Sequence, residues 1–304
     1  MKKRSIPLIV IITTAFILTG CGSILLRPAI DKVKTVALIS VYMNRDFYDI
    51  KAPKADESKD AMKTLGRAIM KEAGALDKID HTFDAKFLQV VSYAVKAYSD
   101  ALDGLGPFRL APMDKVLQNP SYQDFVGQAA KDQPFGGALV KIGAAIKSAD
   151  WYTAPSMIHI PADAIVEGGD THTTYYGNTK DPKAEFRGEL AKLCTSLGVD
   201  AVAIVQLDMA YKKPFIGISL GEGYPAAPRV ASTLIVVNKD GEVAVNTGLY
   251  GRGEGEYSEG DNAPMLRGGS VILNDKSTSS FCATIDKSCA AMKKNMEKAF
   301  SKLK

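Results

Sequence analysis

Histidine is scarce in this chain: His81, His159 and His172 are the whole imidazole supply of 304 residues. No HExxH segment and no EF-hand spacing occurs, so the familiar local signatures of zinc hydrolases and calcium loops are missing. The four cysteines form no CxxC pair, which excludes the short zinc and dithiol redox motifs. No block of five basic residues, no low-complexity linker and no internal repeat interrupts the chain. The longest apolar stretch, Ile6 to Leu18, carries Pro7, Thr13 and Thr14. It falls short of the roughly 20 residues that a membrane-crossing helix needs.

What remains is ordinary globular material at 46% hydrophobic and 24% charged residues. The 38 basic residues exceed the 34 acidic ones, for a net charge of +4. Three of the positive charges, Lys2, Lys3 and Arg4, stand directly before the apolar stretch. A basic start followed by a short apolar run is the pattern of a secretory signal.

The run closes as Leu18-Thr19-Gly20-Cys21, which resembles the lipobox of bacterial lipoproteins. The resemblance implies cleavage before Cys21, a diacylglycerol thioether on its sulfur and an acylated new amino terminus. Two or three acyl chains anchor stably where one binds only marginally. Gly22 stands where an aspartate favours inner-membrane retention in Gram-negative lipoproteins. The implied address is thus the periplasmic face of the outer membrane, or the outer face of a Gram-positive membrane. Without residues 1–20 the balance is 35 basic to 34 acidic, and the case for a nucleic-acid partner lapses. Residues 21–31 read as a short lipidated tether, and 32–304 as a single α/β domain.

Along that domain, Val33 to Met43 reads as a central strand. Met62, Leu65, Ile69 and Ala73 form a helical stripe, and Phe87, Val91, Val95, Tyr98 and Leu102 form a second, ended by Gly104. Pro107 to Met113 reads as a short strand, and 119–149 as two helical pieces opened by Asn119-Pro120. Asp181-Pro182 starts a helix with Phe186, Leu190, Leu193 and Leu197 on one face, stopped by Gly198 and followed by strand Val199 to Leu207. Asn238-Lys239-Asp240-Gly241 joins Arg229–Val237 to Glu242–Tyr250 as a hairpin. Phe281, Ile285, Cys289, Met292, Met296, Phe300 and Leu303 mark a C-terminal amphipathic helix. The order predicts one α/β (α+β) fold with a single mixed sheet and packed helices.

If that last helix is continuous from Cys282, Cys282 and Cys289 lie about 10.5 Å apart, beyond the roughly 7 Å reach of a disulfide. A helix starting near Asp286 would let them bridge. The continuous helix is favoured, leaving Cys194, Cys282 and Cys289 as buried free thiols.

The segment Leu197-Gly198-Val199-Asp200-Ala201-Val202-Ala203-Ile204-Val205, between a helix and a hairpin, resembles the α/β domain of periplasmic lipoproteins. The curli-secretion lipoproteins and the N-terminal domain of TolB have this layout. The resemblance implies an envelope component that binds or supports other envelope molecules. Long inserted segments depart from those domains, so curli-type pore formation is not implied.

Catalytic motifs fail on context. Gly217-Ile218-Ser219-Leu220-Gly221 matches a nucleophile elbow, but Glu222-Gly223-Tyr224-Pro225 follows where a helix should begin. Gly251-Arg252-Gly253-Glu254-Gly255 is followed by acidic residues that repel phosphate. Asp163, Glu167, Asp170 and His172 could hold a cation or share acid–base work. A tethered hydrolase using Ser219 or that His172 cluster is the alternative; a non-enzymatic binding or assembly domain is the leading reading. No cofactor is expected. The stretches 150–180, 212–228 and 251–270 read as long loops carrying Trp151, Tyr152, Tyr175, Tyr176, Phe215, Tyr224, Arg252 and Tyr257, with Glu222, Arg229 and Arg267 in or beside them. Converging aromatics and arginines would form a recognition surface for an envelope protein, peptidoglycan or a glycan. The other reading has the tyrosines pinning loops to the sheet.

Overall fold

A run as rich in β-branched and apolar residues as Thr35–Asn44 is stable as a strand only where both faces are covered. In the computed structural model this run is strand β1, buried at every position between its two ends. The structure describes residues 24–44, 47–49, 81–130, 151–160, 162, 165–166, 182–214, 223–248, 257–267 and 270–303. On one side β1 pairs in parallel with β5 (Ala201–Lys212). On the other it meets β3 (Arg109–Leu110, parallel) at its start and β4 (Trp151–Thr153, antiparallel) at its end. Strand β6 (Tyr224–Asn238) runs antiparallel to β5 along its whole length. The far side of β6 carries β7 (Val243–Asn246), β8 (Ser258–Glu259) and β9 (Ala263–Arg267), with β10 (Ser270–Val271) beyond β9. With β2 (Tyr48–Asp49) against β5, this is one mixed sheet of ten strands.

Helices cover both faces, as the alternating pattern predicts. Helix α1 (His81–Leu102) and the last helix, Asp275–Ser301, pack on one face. Helices α2 (Met113–Leu117), α3 (Pro120–Ala130) and α4 (Pro182–Leu197) pack on the other. Counting in chain order, Asp275–Ser301 is α5. Asn119 caps α3, its Oδ1 accepting from the amides of Ser121 (2.9 Å) and Tyr122 (3.3 Å). In α4 the stripe Phe186, Leu190 and Leu193 is buried, each side chain contributing about 1.5–3 kcal/mol. Gly198, at φ +67°, ends α4 in a conformation that costs other residues more. The turn Lys239–Glu242 is held by Asn238, whose Oδ1 accepts from the Asp240 (3.0 Å) and Glu242 (2.9 Å) amides.

Helix α5 contains both Cys282 and Cys289 without a break, and all three described cysteines are free thiols. It begins six residues before the apolar stripe, at a capping box. The Ser277 amide donates to Asn274 Oδ1 (2.9 Å) and the Asn274 amide to Ser277 Oγ (2.8 Å).

Three expectations change. Within the stretch 21–31 expected as a tether, residues 24–31 are part of the fold: Leu25 bridges to Val245, and the Leu26 amide donates to Ala244 O (3.0 Å). A 3-10 turn, Ala29–Lys32, follows, with Ala29, Ile30 and Val33 buried. These apolar residues close the outer edge of β7, so the chain from Ile24 onward belongs to the folded body. The loop stretches also shorten: β4 lies in 150–180, β6 begins at Tyr224 inside 212–228, β8 and β9 lie within 251–270, and β10 begins at Ser270. The second strand of the hairpin stops at Asn246. The helical stripe Met62–Ala73 and the piece after Pro134 lie outside the described residues.

Candidate functional site

Alternation along β5 and β6 sends odd and even residues to opposite faces. Ala203, Val205, Leu207 and Met209 face α1 and α5, and Val202 and Ile204 face α4. On this second face the apolar pattern stops beyond Ile204, and Gln206, Asp208 and Lys212 follow on β5. Register places Gln206 opposite Thr233 and Tyr42, and Ala210 opposite Arg229. Four strands thus supply a floor of polar and small side chains: Tyr42, Gln206, Asp208, Ala231, Thr233, Arg229 and Glu259.

The floor is internally wired. Tyr42 Oη donates to Gln206 Oε1 (3.0 Å) and accepts the Ala162 amide (2.9 Å). Gln206 Nε2 donates to Asp208 Oδ1 (3.0 Å). Arg229 forms an ion pair with Glu259 directly across from it. Asn44, the last residue of β1, adds a side-chain link to β5, donating to Met209 O (2.9 Å) and accepting the Met209 amide (2.6 Å). The ring of His159 stands edge-on to Tyr42, with centroids 4.4 Å apart. Ser40 Oγ donates to Ile158 O (2.6 Å) and Tyr122 Oη to Ile39 O (2.7 Å), pinning the neighbouring segment to β1. Arg229 and Thr233 are buried, whereas Gln206, Asp208 and Lys212 are half-buried. The floor is therefore closed at β6 and more open toward β5.

Such an array offers carboxylate, amide, hydroxyl and guanidinium groups for hydrogen bonding. Among the described residues no group of three His, Cys, Asp or Glu side chains is arranged to hold a metal ion. Nor does any cysteine there present a reactive thiolate. Burial pushes the Cys194 and Cys289 thiols up to about 12 and Cys282 to about 11. A second concavity, between Asp261–Pro264 and the first turns of α5, is a shallow groove lined by Asp275, Lys276, Ser279 and Lys287. Its polar groups tie β8 and β9 to the helix: Ser280 Oγ donates to Asp261 O (2.7 Å) and Lys287 Nζ to Glu259 O (3.1 Å).

Of the candidate aromatics, those described do not gather at one point. Tyr152 is buried in the core, stacked on Phe87 with centroids 4.4 Å apart and planes 19° apart. It holds β4 to α1 and presents no recognition surface. Trp151 lies in register with Asn44. Tyr224 pairs with Leu266 near the far end of β6, seven residues from Ala231, which lies opposite Asp208. That offset is about 23 Å along the strand, so Tyr224 stands well away from the end of the sheet where Asn44 pairs with Trp151. Tyr257, half-buried, directly precedes Ser258, the partner of Val230. The backbones of β4 and β8 therefore lie on opposite sides of the central strands β1, β5 and β6. Arg229 belongs to the floor, and Arg267 is exposed. Cys21, Asp163, Glu167, Asp170, His172, Tyr175, Tyr176, Phe215, Ser219, Glu222 and Arg252 lie outside the described residues. Tyr224 continues β6 where a nucleophile elbow would need a helix.

Gln206, Asp208 and Thr233 are not announced by the sequence because they are scattered through largely apolar strands. Only the register of β5 against β6 brings them together. Compared with known proteins, the chain matches no family model, no curated protein and no solved structure.

Proposed function

We propose that this protein is a lipid-anchored component of the bacterial cell envelope, carrying a non-enzymatic binding or assembly domain. The observation that carries the reading is the position of Cys21. A lipobox-like cysteine stands three residues before Ile24, whose carbonyl is paired with the sheet. The apolar segment ahead of it is signal-like in length and charge. The Tyr42–Gln206–Asp208 row and the Arg229–Glu259 pair support hydrogen-bonded recognition of a polar envelope partner, whether a protein, peptidoglycan or a glycan. In a Gram-negative envelope, Gly22 favours the outer membrane's periplasmic face.

Metabolic labelling with a fatty acid, followed by detergent-phase partition, tests the anchor. The wild-type chain takes up label and enters the detergent phase, and Cys21→Ser loses both. Label retained in Cys21→Ser would remove the basis of the proposal.

A further inference from the structure

We infer that the sheet edge formed by Ile24–Leu26 rests on the membrane surface, with Leu26 entering the lipid headgroup layer. The inference builds on the lipid anchor at Cys21. Three peptide steps separate Cys21 from Ile24, and fully extended chain covers at most about 3.3–3.6 Å per residue. The anchor's reach is thus about 10 Å. The headgroup layer on each side of a bilayer is about 5–8 Å deep, and a glycerol thioether lies at its inner boundary. Crossing that layer uses most of the reach. Ile24 is also fixed to the body, since its carbonyl accepts the Asn246 amide (3.0 Å). The sheet edge therefore has no room to stand off from the lipid.

The composition of the edge agrees with a lipid contact. Leu26, at 37% exposure, is one of three large hydrophobic residues exposed among those described, and it lies on this segment. Its charged neighbours are answered within the protein. Arg27 meets Asp31 (3.2 Å) and donates to Leu303 O (2.6 Å), and Lys32 meets Asp240 (2.8 Å) and Glu242 (3.6 Å). Contact is thus led by an apolar side chain and proximity, and not by free cations drawn to anionic lipid. The opposite edge, at β3 and α2, lies five strand spacings away, about 24 Å.

The test uses the full acylated protein in vesicles of phosphatidylethanolamine and phosphatidylglycerol. In a Cys282→Ser background, a nitroxide is placed at Leu26→Cys or, as the remote control, Lys115→Cys. Collision with oxygen is compared with collision with a water-soluble nickel complex, after circular dichroism confirms the native fold. The oxygen-to-nickel ratio is expected to be at least threefold higher at residue 26 than at residue 115. Equal ratios on vesicle-bound protein overturn the contact while the anchor stands. A chain that does not sediment with vesicles overturns both.

Discussion

Asp200 and Thr35 bind each other in both directions where β5 and β1 begin. Asp200 Oδ2 accepts from the Thr35 amide and hydroxyl (both 3.0 Å), and the Asp200 amide donates to Thr35 Oγ1 (2.9 Å) and Thr35 O (3.0 Å). Burial works against this carboxylate's charge, yet the bonds from Thr35 and Lys34 hold it below the usual aspartate range. A lowered native pKa stabilises the fold above the unfolded value of about 3.9, and that contribution is lost as pH falls through the native value. Asp200→Asn should therefore lower stability by about 1 kcal/mol at pH 7, with the deficit shrinking toward pH 3. Urea melts of both proteins across that range provide the check.

Tyr42→Phe removes the hydroxyl shared by Gln206 and the Ala162 amide. The expected loss is about 1 kcal/mol, with faster hydrogen exchange at Ala162 and little change at Val205 in the ladder. Uniformly faster exchange throughout β5 would mean that Tyr42 supports the whole sheet, not the floor.

Gly260 sits where α5 crosses the end of β8. A Cβ at this position would lie 2.0 Å from Thr284 Oγ1 and 2.7 Å from Pro228 Cγ. Gly260→Ala is expected to cost about 1–3 kcal/mol by overpacking. The double variant with Thr284→Ala should recover part of the loss in thermal melts.

The thiols are expected to be inert in the native protein. With Cys194, Cys282 and Cys289 raised to about 12, 11 and 12 by burial, negligible thiolate exists at pH 7.5. Ellman's reagent should find three thiols in denaturant on the acylated protein and almost none within minutes before it is added. Cys282, half-buried, should be the first to react.

Leu25 is 2% exposed against the core and bridged to Val245. Leu25→Ala should cost about 2–5 kcal/mol, far more than any change in a tether. A denaturation midpoint within error of wild type would show that Ile24–Leu26 is dispensable to the body.

Local patterns made much of the fold legible. The stripe Phe186–Leu190–Leu193, the stop at Gly198, the strand from Ala201 and the Asn238 turn each carry their signal within one short window. The start of α5 was hidden because Asp275 to Ser280 is polar, and its cap depends on the Asn274–Ser277 spacing. The polar floor was hidden for a different reason: no spacing within β5 announces that Gln206 will face Tyr42 and Thr233. The pairing of Leu25 with Val245 joins segments with no common sequence pattern, so residues 21–31 read as tether.

That pairing also sets an order of events. The strand nearest Cys21 leaves any synthesising or exporting machinery first, and its partner β7 emerges some 220 residues later. Until then Ile24–Leu26 has no ladder to join and the sheet cannot close its outer edge. On the proposed route, the segment Ile24–Leu26 beside Cys21 therefore meets its pairing partner only when most of the chain has been exported.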